Sequence, residues 1–195
     1  EVFEAHRKAG IKLNPSKTTL FEASVEYLGH QVSSEGIRMI PSYVQRIWDW
    51  PRPKDTQDLR RLIVFFAYYR SFVPHFAEYA AVLNAQRNAE KLEWTPQMED
   101  SLNHLKEAFR GDQVRAYPVF EEGGKPFILT TDFSGKAISA ILSQEQGGQE
   151  RLIAAAGRKT TQYEANYPLR KGELSAVVYG VRKFEHILKF APFQV

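Results

Sequence analysis

The chain has 195 residues, of which 43% are hydrophobic and 13% aromatic, so it can bury the core of one or two globular domains. It contains no cysteine, which excludes a disulfide framework and any thiolate metal site. The net charge is only +3, and no leader peptide or apolar run of ~18 residues is present, so we expect no membrane segment.

Residues 1–40 predict the end of a helix followed by a β-hairpin. The sequence opens in a helical pattern without an initiator Met, so we expect it to be part of a longer chain. Gly10 closes this helix and Asn14-Pro15 marks a turn. Two apolar runs then predict paired strands at residues 24–30 and 36–40.

Residues 41–117 predict an all-helical region. Proline and capping residues delimit three helices, at residues 42–50, 57–72 and 96–110. Apolar residues recur at helical spacing along one face of the second helix, namely Leu59, Leu62, Ile63, Phe66 and Tyr69. This pattern leaves Arg60, Val64 and Tyr68 facing away from the predicted core.

Residues 118–195 predict a mixed sheet covered by a helix. A turn at residues 121–125 precedes a strand at 127–131, and strands at 137–144 and 151–156 follow in meander order. Residues 167–189 predict one long helix. Its apolar stripe, expected to pack on the sheet, consists of Leu174, Val177, Val178, Val181, Phe184 and Leu188.

Two carboxylates stand at the ends of these elements. Asp132 follows the first strand, and Glu173 comes one residue before the helical stripe, so packing of the helix on the sheet would bring them together. Converging carboxylates repel each other unless a cation lies between them, and oxygen-only ligands suit Mg²⁺ or Mn²⁺. Such a pair is half of a two-metal phosphodiester site. On the residues alone, a turn or cap role for Asp132 and a solvated Glu173 remain the alternative.

Five motifs occur in order in this region. They are Thr131-Asp-Phe-Ser134, Ala140-Ile-Leu-Ser-Gln144, Arg158-Lys-Thr-Thr-Gln-Tyr163, Lys171-Gly-Glu-Leu-Ser-Ala-Val-Val178 and Lys183-Phe-Glu-His-Ile-Leu188. The series resembles the ribonuclease H domain of gypsy-type LTR retrotransposon reverse transcriptases. The resemblance implies that Asp132 and Glu173 are catalytic carboxylates that bind Mg²⁺ or Mn²⁺ and cleave the RNA of an RNA/DNA hybrid.

The same resemblance implies that this ribonuclease H domain is incomplete. In that family a third catalytic Asp follows a strand that resembles Pro192-Phe-Gln-Val195, about three residues further on, and a fourth carboxylate lies beyond it. The polymerase carboxylates of the family would precede Glu1. We therefore expect the intact protein to be a reverse transcriptase with ribonuclease H activity, and the 195-residue chain alone to be inactive.

Motifs in the first half of the chain support the same resemblance. Ala9-Gly-Ile-Lys-Leu-Asn-Pro-Ser-Lys17, Tyr27-Leu-Gly-His30 and Trp50-Pro-Arg-Pro-Lys54 are similar to the end of the palm in those enzymes. The resemblance assigns Tyr27, Leu28, Gly29 and His30 to the primer grip, which holds the primer 3′ end.

The helix at 57–72 resembles the thumb helix that runs along the minor groove, which makes Arg60, Val64 and Tyr68 candidate nucleic-acid contacts. The implied domains are the palm end at 1–40, the helical thumb at 41–117 and a truncated ribonuclease H domain at 118–195, so we expect an α+β fold.

Departures from the family pattern keep a rival hypothesis open. The family usually has Gly where this chain has Val64, Ala where it has Phe133, and Lys where it has Gly172. Glycine at a helix start costs up to about 1 kcal/mol relative to Ala. The rival is a domesticated or decayed copy that serves as a non-catalytic nucleic-acid-binding or structural module. A third hypothesis is an unrelated α/β protein.

The resemblance also implies partners and a location. The partners would be an RNA/DNA hybrid or a template–primer duplex and the rest of the Pol polyprotein, and a homodimer is compatible with the sequence. The location would be intracellular, in a cytoplasmic virus-like particle or the nucleus.

Overall fold

The computed structural model of the chain describes residues 1–110, 114–120 and 125–195. The helices are α1 (Val2–Lys8), α2 (Pro41–Trp48), α3 (Thr56–Tyr68), α4 (Phe76–Ala85), α5 (Pro96–Ala108), α6 (Leu169–Lys183) and α7 (Glu185–Leu188). The strands are β1 (Ser24–Tyr27), β2 (His30–Ser33), β3 (Gly36–Met39), β4 (Val114–Arg115), β5 (Phe127–Phe133), β6 (Ala137–Gln146), β7 (Gln149–Lys159) and β8 (Phe193–Gln194). Short 3-10 helices lie at Pro15–Lys17, Arg70–Phe72 and Glu164–Asn166. Within the described parts of the chain, no helix is both long and apolar enough to cross a bilayer.

The first sheet is antiparallel, with the strand order β1-β2-β3-β4. A two-residue turn joins β1 to β2, and both of its residues have positive φ angles, 46° at Leu28 and 75° at Gly29. Turns of this kind match the twist of the paired strands. The single strand predicted over residues 24–30 was therefore wrong. Gly29 is a common turn residue, but Leu28 at the other turn position is not, and the apolar pattern continues through it.

The helical region, which we define as α2 to α5, holds the first core. The apolar stripe predicted on α3 is confirmed, since Leu59, Leu62, Ile63, Phe66 and Tyr69 are all buried. Side chains cap the starts of α3 and α5. The Asp55 carboxylate accepts a hydrogen bond from the Asp58 amide at 2.7 Å, and the Thr95 hydroxyl accepts one from the Met98 amide at 3.3 Å.

Two features of this region differ from the prediction. The helix α4 was not predicted, and it begins directly after Pro74 and His75. The segment 41–117 is also not all-helical, because β4 pairs with β3 through Arg38 and Val114. Pairing between residues this far apart in the sequence leaves no local pattern, and a two-residue strand is too short to show periodicity.

The second sheet has the order β7-β6-β5-β8. The antiparallel meander β5-β6-β7 is as predicted, and β8 runs parallel to β5, so the sheet is mixed. Helix α6 covers one face, where a Cβ built on Gly180 would lie 3.0 Å from Leu129 Cδ1. Helix α4 covers the other face, where a Cβ built on Gly157 would lie 3.2 Å from Ala77 Cβ. The α+β fold class is confirmed. The predicted turn before β5 falls almost entirely on residues 121–124, outside the described residues.

Helix α6 packs on the sheet through small residues, which corrects the predicted stripe. Leu174 and Val178 are 66% and 49% exposed, whereas the buried positions of the helix are Gly172, Ala176 and Gly180. Phe133 is one reason why only a small residue fits on this face of the helix, since a Cβ on Gly172 would lie 2.1 Å from the Phe133 ring. The predicted burial of Phe184 and Leu188 is confirmed, but both residues follow the end of α6: Phe184 lies between the two helices and Leu188 is the last residue of α7.

Candidate functional site

Two tyrosines at the end of α3 hold the turn between β1 and β2. The Tyr68 hydroxyl donates a hydrogen bond to the Leu28 carbonyl, and the Tyr69 hydroxyl donates one to the Gly29 carbonyl at 2.9 Å. A Cβ on Gly29 would lie only 3.1 Å from the Tyr69 hydroxyl, so glycine is required here by both space and φ. Burial raises the pKa of Tyr69, and the nearby Tyr43 and Tyr68 add to this, so Tyr69 stays a neutral donor.

The imidazole of His30 extends this contact between the hairpin and the helical region. Its ring stacks on Phe72 with centroids 5.6 Å apart and lies 5.4 Å from the rings of Tyr68 and Tyr69. His30 Nδ1 is 2.9 Å from the Leu28 carbonyl, which can only accept a hydrogen bond, so Nδ1 carries the proton. His30 therefore fixes the hairpin by packing.

The hairpin tip and the outer face of α3 form one surface. Arg60, Val64 and Tyr68 are spaced four residues apart, so they share one stripe of α3, and Tyr68 meets the turn. Leu28 is 68% exposed and Tyr68 is 53% exposed. We call this the hairpin–helix surface, and it consists of Tyr27, Leu28, Gly29, His30, Arg60, Val64 and Tyr68. An aromatic and aliphatic ridge that carries a cation is suited to contact with sugars and phosphates.

The structure brings the start of α6 to the strand end that carries Asp132, because Gly172 lies against Phe133. The two carboxylates nevertheless lie on different faces. Side chains alternate along a strand, and Leu129 and Thr131 contact α6 through Gly180, so the side chain of Asp132 points to the opposite face. Glu173, on α6, is not brought to that face.

The side chain of Asp132 meets the helical region instead. Its Oδ2 lies 3.6 Å from His75 Nδ1, and the same nitrogen lies 3.0 Å from the Ser139 hydroxyl. Asp132 and Ser139 are direct partners in the β5–β6 ladder. His75 has a φ of 55°, a left-handed conformation that is uncommon for residues other than glycine. No local pattern in the sequence links His75 to Asp132, which is why sequence reasoning missed this contact.

The residues around Asp132 do not form a metal centre in this arrangement. Among residues 1–110, 114–120 and 125–195, no group of three or more metal-ligating side chains lies close enough to hold an ion. Asp132, His75, Glu78 and Ser139 line a small crevice together with Ser134 and Ala137.

Comparison with known proteins identifies the chain. Residues 94–195 match the model of the RNase H-like domain found in reverse transcriptase. The chain belongs to this family. The chain is 32% identical over 186 residues to the retrovirus-related Pol polyprotein from transposon 412 of Drosophila melanogaster, and the match covers 94% of this chain and 15% of that protein. The Pol polyprotein from transposon gypsy of the same organism is 31% identical over 193 residues, with 92% and 18% covered. The chain thus spans less than a fifth of the length of these relatives.

Solved structures share the fold of this chain. The foamy viral protease-reverse transcriptase dRH in complex with double-stranded DNA superposes with a TM-score of 0.77 at 22% identity, over 95% of this chain and 32% of that one. The foamy viral protease-reverse transcriptase in complex with an RNA/DNA hybrid gives a TM-score of 0.71 at 19% identity, over 88% of this chain and 23% of that one. The match extends beyond the C-terminal half and includes most of the hairpin and helical region.

Proposed function

We propose that the chain is part of an RNA-directed DNA polymerase with ribonuclease H activity from an LTR retrotransposon, and that it positions a template–primer duplex. The observation that carries this proposal is the attachment of the hairpin tip to α3 through the Tyr68 and Tyr69 hydroxyls. The relatives, which are retrotransposon Pol polyproteins, support it. These relatives do not favour the alternative hypothesis that the chain is a domesticated or decayed copy. The divisions at 1–40, 41–117 and 118–195 are part of the proposal.

The hairpin–helix surface provides distinct contacts along a duplex. The guanidinium of Arg60 is suited to a phosphate, and the ring of Tyr68 is suited to a sugar. The exposed turn at Leu28 and Gly29 would lie at the primer end. The hydrogen bonds from the two tyrosines hold this turn in a fixed position relative to α3. Val64 keeps the α3 backbone further from the duplex than glycine would.

Binding of a fluorescein-labelled DNA template–primer duplex to the chain tests this proposal. Arg60→Gln should weaken binding about tenfold, because a charge-assisted contact to phosphate is worth roughly 1.5–3 kcal/mol. Tyr68→Ala should weaken it as well. Arg110→Gln, which removes an exposed cation outside the surface, is the matched control and should bind like the unchanged chain. Equal affinity of all four proteins would refute the proposed surface.

For the intact protein we propose, from the family resemblance, that Asp132 and Glu173 are catalytic and contribute to a site for Mg²⁺ or Mn²⁺. A bound divalent ion would activate water for attack on the RNA phosphodiester. In the 195-residue chain the two carboxylates lie on opposite faces of the sheet, and His75 contacts Asp132. We therefore propose that this chain alone does not cleave RNA.

Incubation of the purified chain with a labelled RNA/DNA hybrid and Mg²⁺ tests this second proposal. The chain should release no more product than the Asp132→Asn variant. Cleavage that depends on the metal and disappears in the Asp132→Asn variant would show that the carboxylates meet in solution, and the proposal of an inactive chain would be wrong.

A further inference from the structure

A cleft of about 710 Å³ lies where the 3-10 helix Arg70–Phe72, the strand β7 and the helix α6 meet. Its lining includes no aspartate or glutamate among the described residues. The cationic side chains that line it come from four separate elements, and they are Arg70, Arg115, Arg158 and Lys183. Arg158 is paired with Glu164. The other three cations leave the cleft with an excess of positive charge, although the net charge of the whole chain is only +3.

Arg115 is a largely buried cation in this cleft. Its Nε donates a hydrogen bond to the Ile153 carbonyl at 3.1 Å, its Nη1 donates one to the Ser71 hydroxyl at 3.0 Å, and the guanidinium lies 5.3 Å from the Phe72 ring. In the described parts of the chain, no carboxylate lies within ion-pair distance of Arg115. Burial lowers the pKa of Arg115. A buried charge without a counter-ion is unfavourable, so an anion in the cleft would offset this cost.

Further unpaired groups point to the same ligand chemistry. Within the described residues, Arg70 and Lys183 form no ion pair, and the half-buried Tyr179 hydroxyl makes no hydrogen bond. Tyr179 lies 5.4 Å below the guanidinium of Arg158, and burial raises the pKa of this tyrosine despite the neighbouring charges of Arg158 and Arg70. Tyr179 thus remains a protonated donor beside several cations.

The shape of the cleft favours an extended anion over a single phosphate. The small side chains Ala154 and Ala156 leave the edge strand β7 open along the cleft, and the volume is that of a pocket for a molecule of many atoms. Apolar residues such as Ile37 and Ile187 also line the cleft, which lowers the local dielectric and strengthens the field of the cations. Arg70 and Ser71 follow directly after Tyr68 and Tyr69, so the cleft continues from the end of α3.

We propose that this cleft binds the phosphodiester backbone of a nucleic acid strand, beside the hairpin–helix surface. The inference deepens the proposed function and rests on it. Arg115 and Tyr179 form the fixed part of the site, because each is partly buried. Arg70 and Lys183 are exposed and contact phosphates at the two sides of the cleft.

The double variant Arg70→Gln/Lys183→Gln tests the inference, because both residues are exposed and their replacement should leave the fold intact. Binding of the fluorescein-labelled template–primer duplex is measured by anisotropy over a series of salt concentrations. The double variant should bind at least about tenfold more weakly. The slope of log K against log salt should become shallower by roughly 2, since each phosphate contact contributes about 0.9. Lys91→Gln/Arg110→Gln, the control with the same change of charge outside the cleft, should retain both values.

The possible outcomes separate this inference from the proposed function. If the double variant binds like the unchanged chain while Arg60→Gln is weakened, the inference is wrong and the hairpin–helix surface stands. If the unchanged chain does not bind the duplex, both the cleft inference and the proposed function are wrong. If inorganic phosphate at equal phosphate concentration displaces the duplex from the unchanged chain but not from the double variant, the cleft takes a single phosphate, which overturns the backbone assignment.

Discussion

At the scale of single residues, Gly172 and Phe133 form a complementary pair. The ring of Phe133 occupies the space where a side chain at residue 172 would stand, and a Cβ there would lie 2.1 Å from the ring. The family that the chain resembles usually has the small Ala at the position of Phe133 and the large Lys at the position of Gly172, so the two departures balance in volume. Gly172 is therefore explained by packing, and it does not by itself indicate a decayed copy.

The exchange Gly172→Ala should destabilise the fold by about 1–3 kcal/mol, because the added methyl group overpacks the contact with Phe133. Chemical denaturation measures this change. Leu174→Ala, at an exposed position of the same helix, is the control and should stay within about 0.5 kcal/mol.

In a Phe133→Ala background the same Gly172→Ala exchange should be neutral or stabilising, since alanine gains up to about 1 kcal/mol of helix propensity. An equal loss of unfolding free energy on Gly172→Ala with and without Phe133→Ala would contradict the proposed complementarity of Gly172 and Phe133.

The carboxylate of Glu164 gives a second prediction for a single residue. Arg158 donates two hydrogen bonds to it, at 2.6 and 2.7 Å, and the Thr161 amide donates one at 2.8 Å. The bonds from Arg158, followed by the one from Thr161, lower the pKa of Glu164 from its usual 4.5 to about 2. A lowered pKa means that the stabilisation is complete above pH 4.5 and is lost as the pH falls towards 2.

The free energy of unfolding should therefore decrease on acidification through this range, and the Glu164→Gln variant should show a shallower decrease. Denaturation curves at a series of pH values measure both. The variant Glu107→Gln, whose partner Arg110 is exposed, should follow the unchanged chain. Identical profiles for Glu164→Gln and the unchanged chain would show that the ion pair contributes nothing.

At the scale of elements, the sequence predicts α3 correctly and α6 only in part. On α3 the large apolar residues are also the buried ones, so their spacing reveals the packed face. On α6 the buried face consists of Gly172, Ala176 and Gly180, which carry little hydrophobic signal. The helix approaches the sheet so closely that only small residues fit, and this leaves Leu174 and Val178 on the outside. The spacing of hydrophobic residues along a helix cannot identify a packed face that consists of small residues.

The candidate site shows the same limit. Membership of the hairpin–helix surface was predicted from motifs and stays a prediction, although the structure does bring Tyr68 to Leu28 and His30. The face to which Asp132 points depends on whether odd or even residues of β5 meet α6, and that depends on long-range packing. The contact with His75 joins segments that are 57 positions apart in the sequence, and such contacts leave no local pattern.

The hairpin tip should lose rigidity in Tyr69→Phe, because the Gly29 carbonyl then loses its buried partner. We expect a cost of about 1 kcal/mol. Amide hydrogen exchange should become faster in β1 and β2, while β5 to β7 keep their protection. The variant Tyr163→Phe, at an exposed tyrosine that makes no contact with the hairpin, should leave exchange unchanged. Uniformly faster exchange in both sheets would mean that Tyr69 supports the whole fold and has no specific role at the tip.

At the scale of the whole molecule, the helical region joins the two sheets. Helix α4 lies against one face of the second sheet, and Arg115 in β4 links the first sheet to Ser71 and to β7. The cluster of Asp132, His75 and Ser139 stands within this junction. The junction therefore depends on polar contacts as well as on apolar packing.

A double-mutant cycle of His75→Ala and Asp132→Asn tests the contribution of this cluster. The half-exposed pair should show a coupling of roughly 0.5 kcal/mol in the free energy of unfolding, as other surface pairs do. The pair Arg61→Ala and Asp58→Asn, a contact within α3 alone, provides a comparison. In that second cycle the junction between the sheets should not change, as judged by exchange in β5 to β7. Strict additivity in the first cycle would show that Asp132 does not hold the junction.

The position of Asp132 has a consequence for the interpretation of related genes. A carboxylate that helps to fasten one part of a protein to another is constrained by folding as well as by any chemistry that it performs. An aspartate at this position in a related gene would therefore record an intact junction, and it would not by itself identify a nuclease centre.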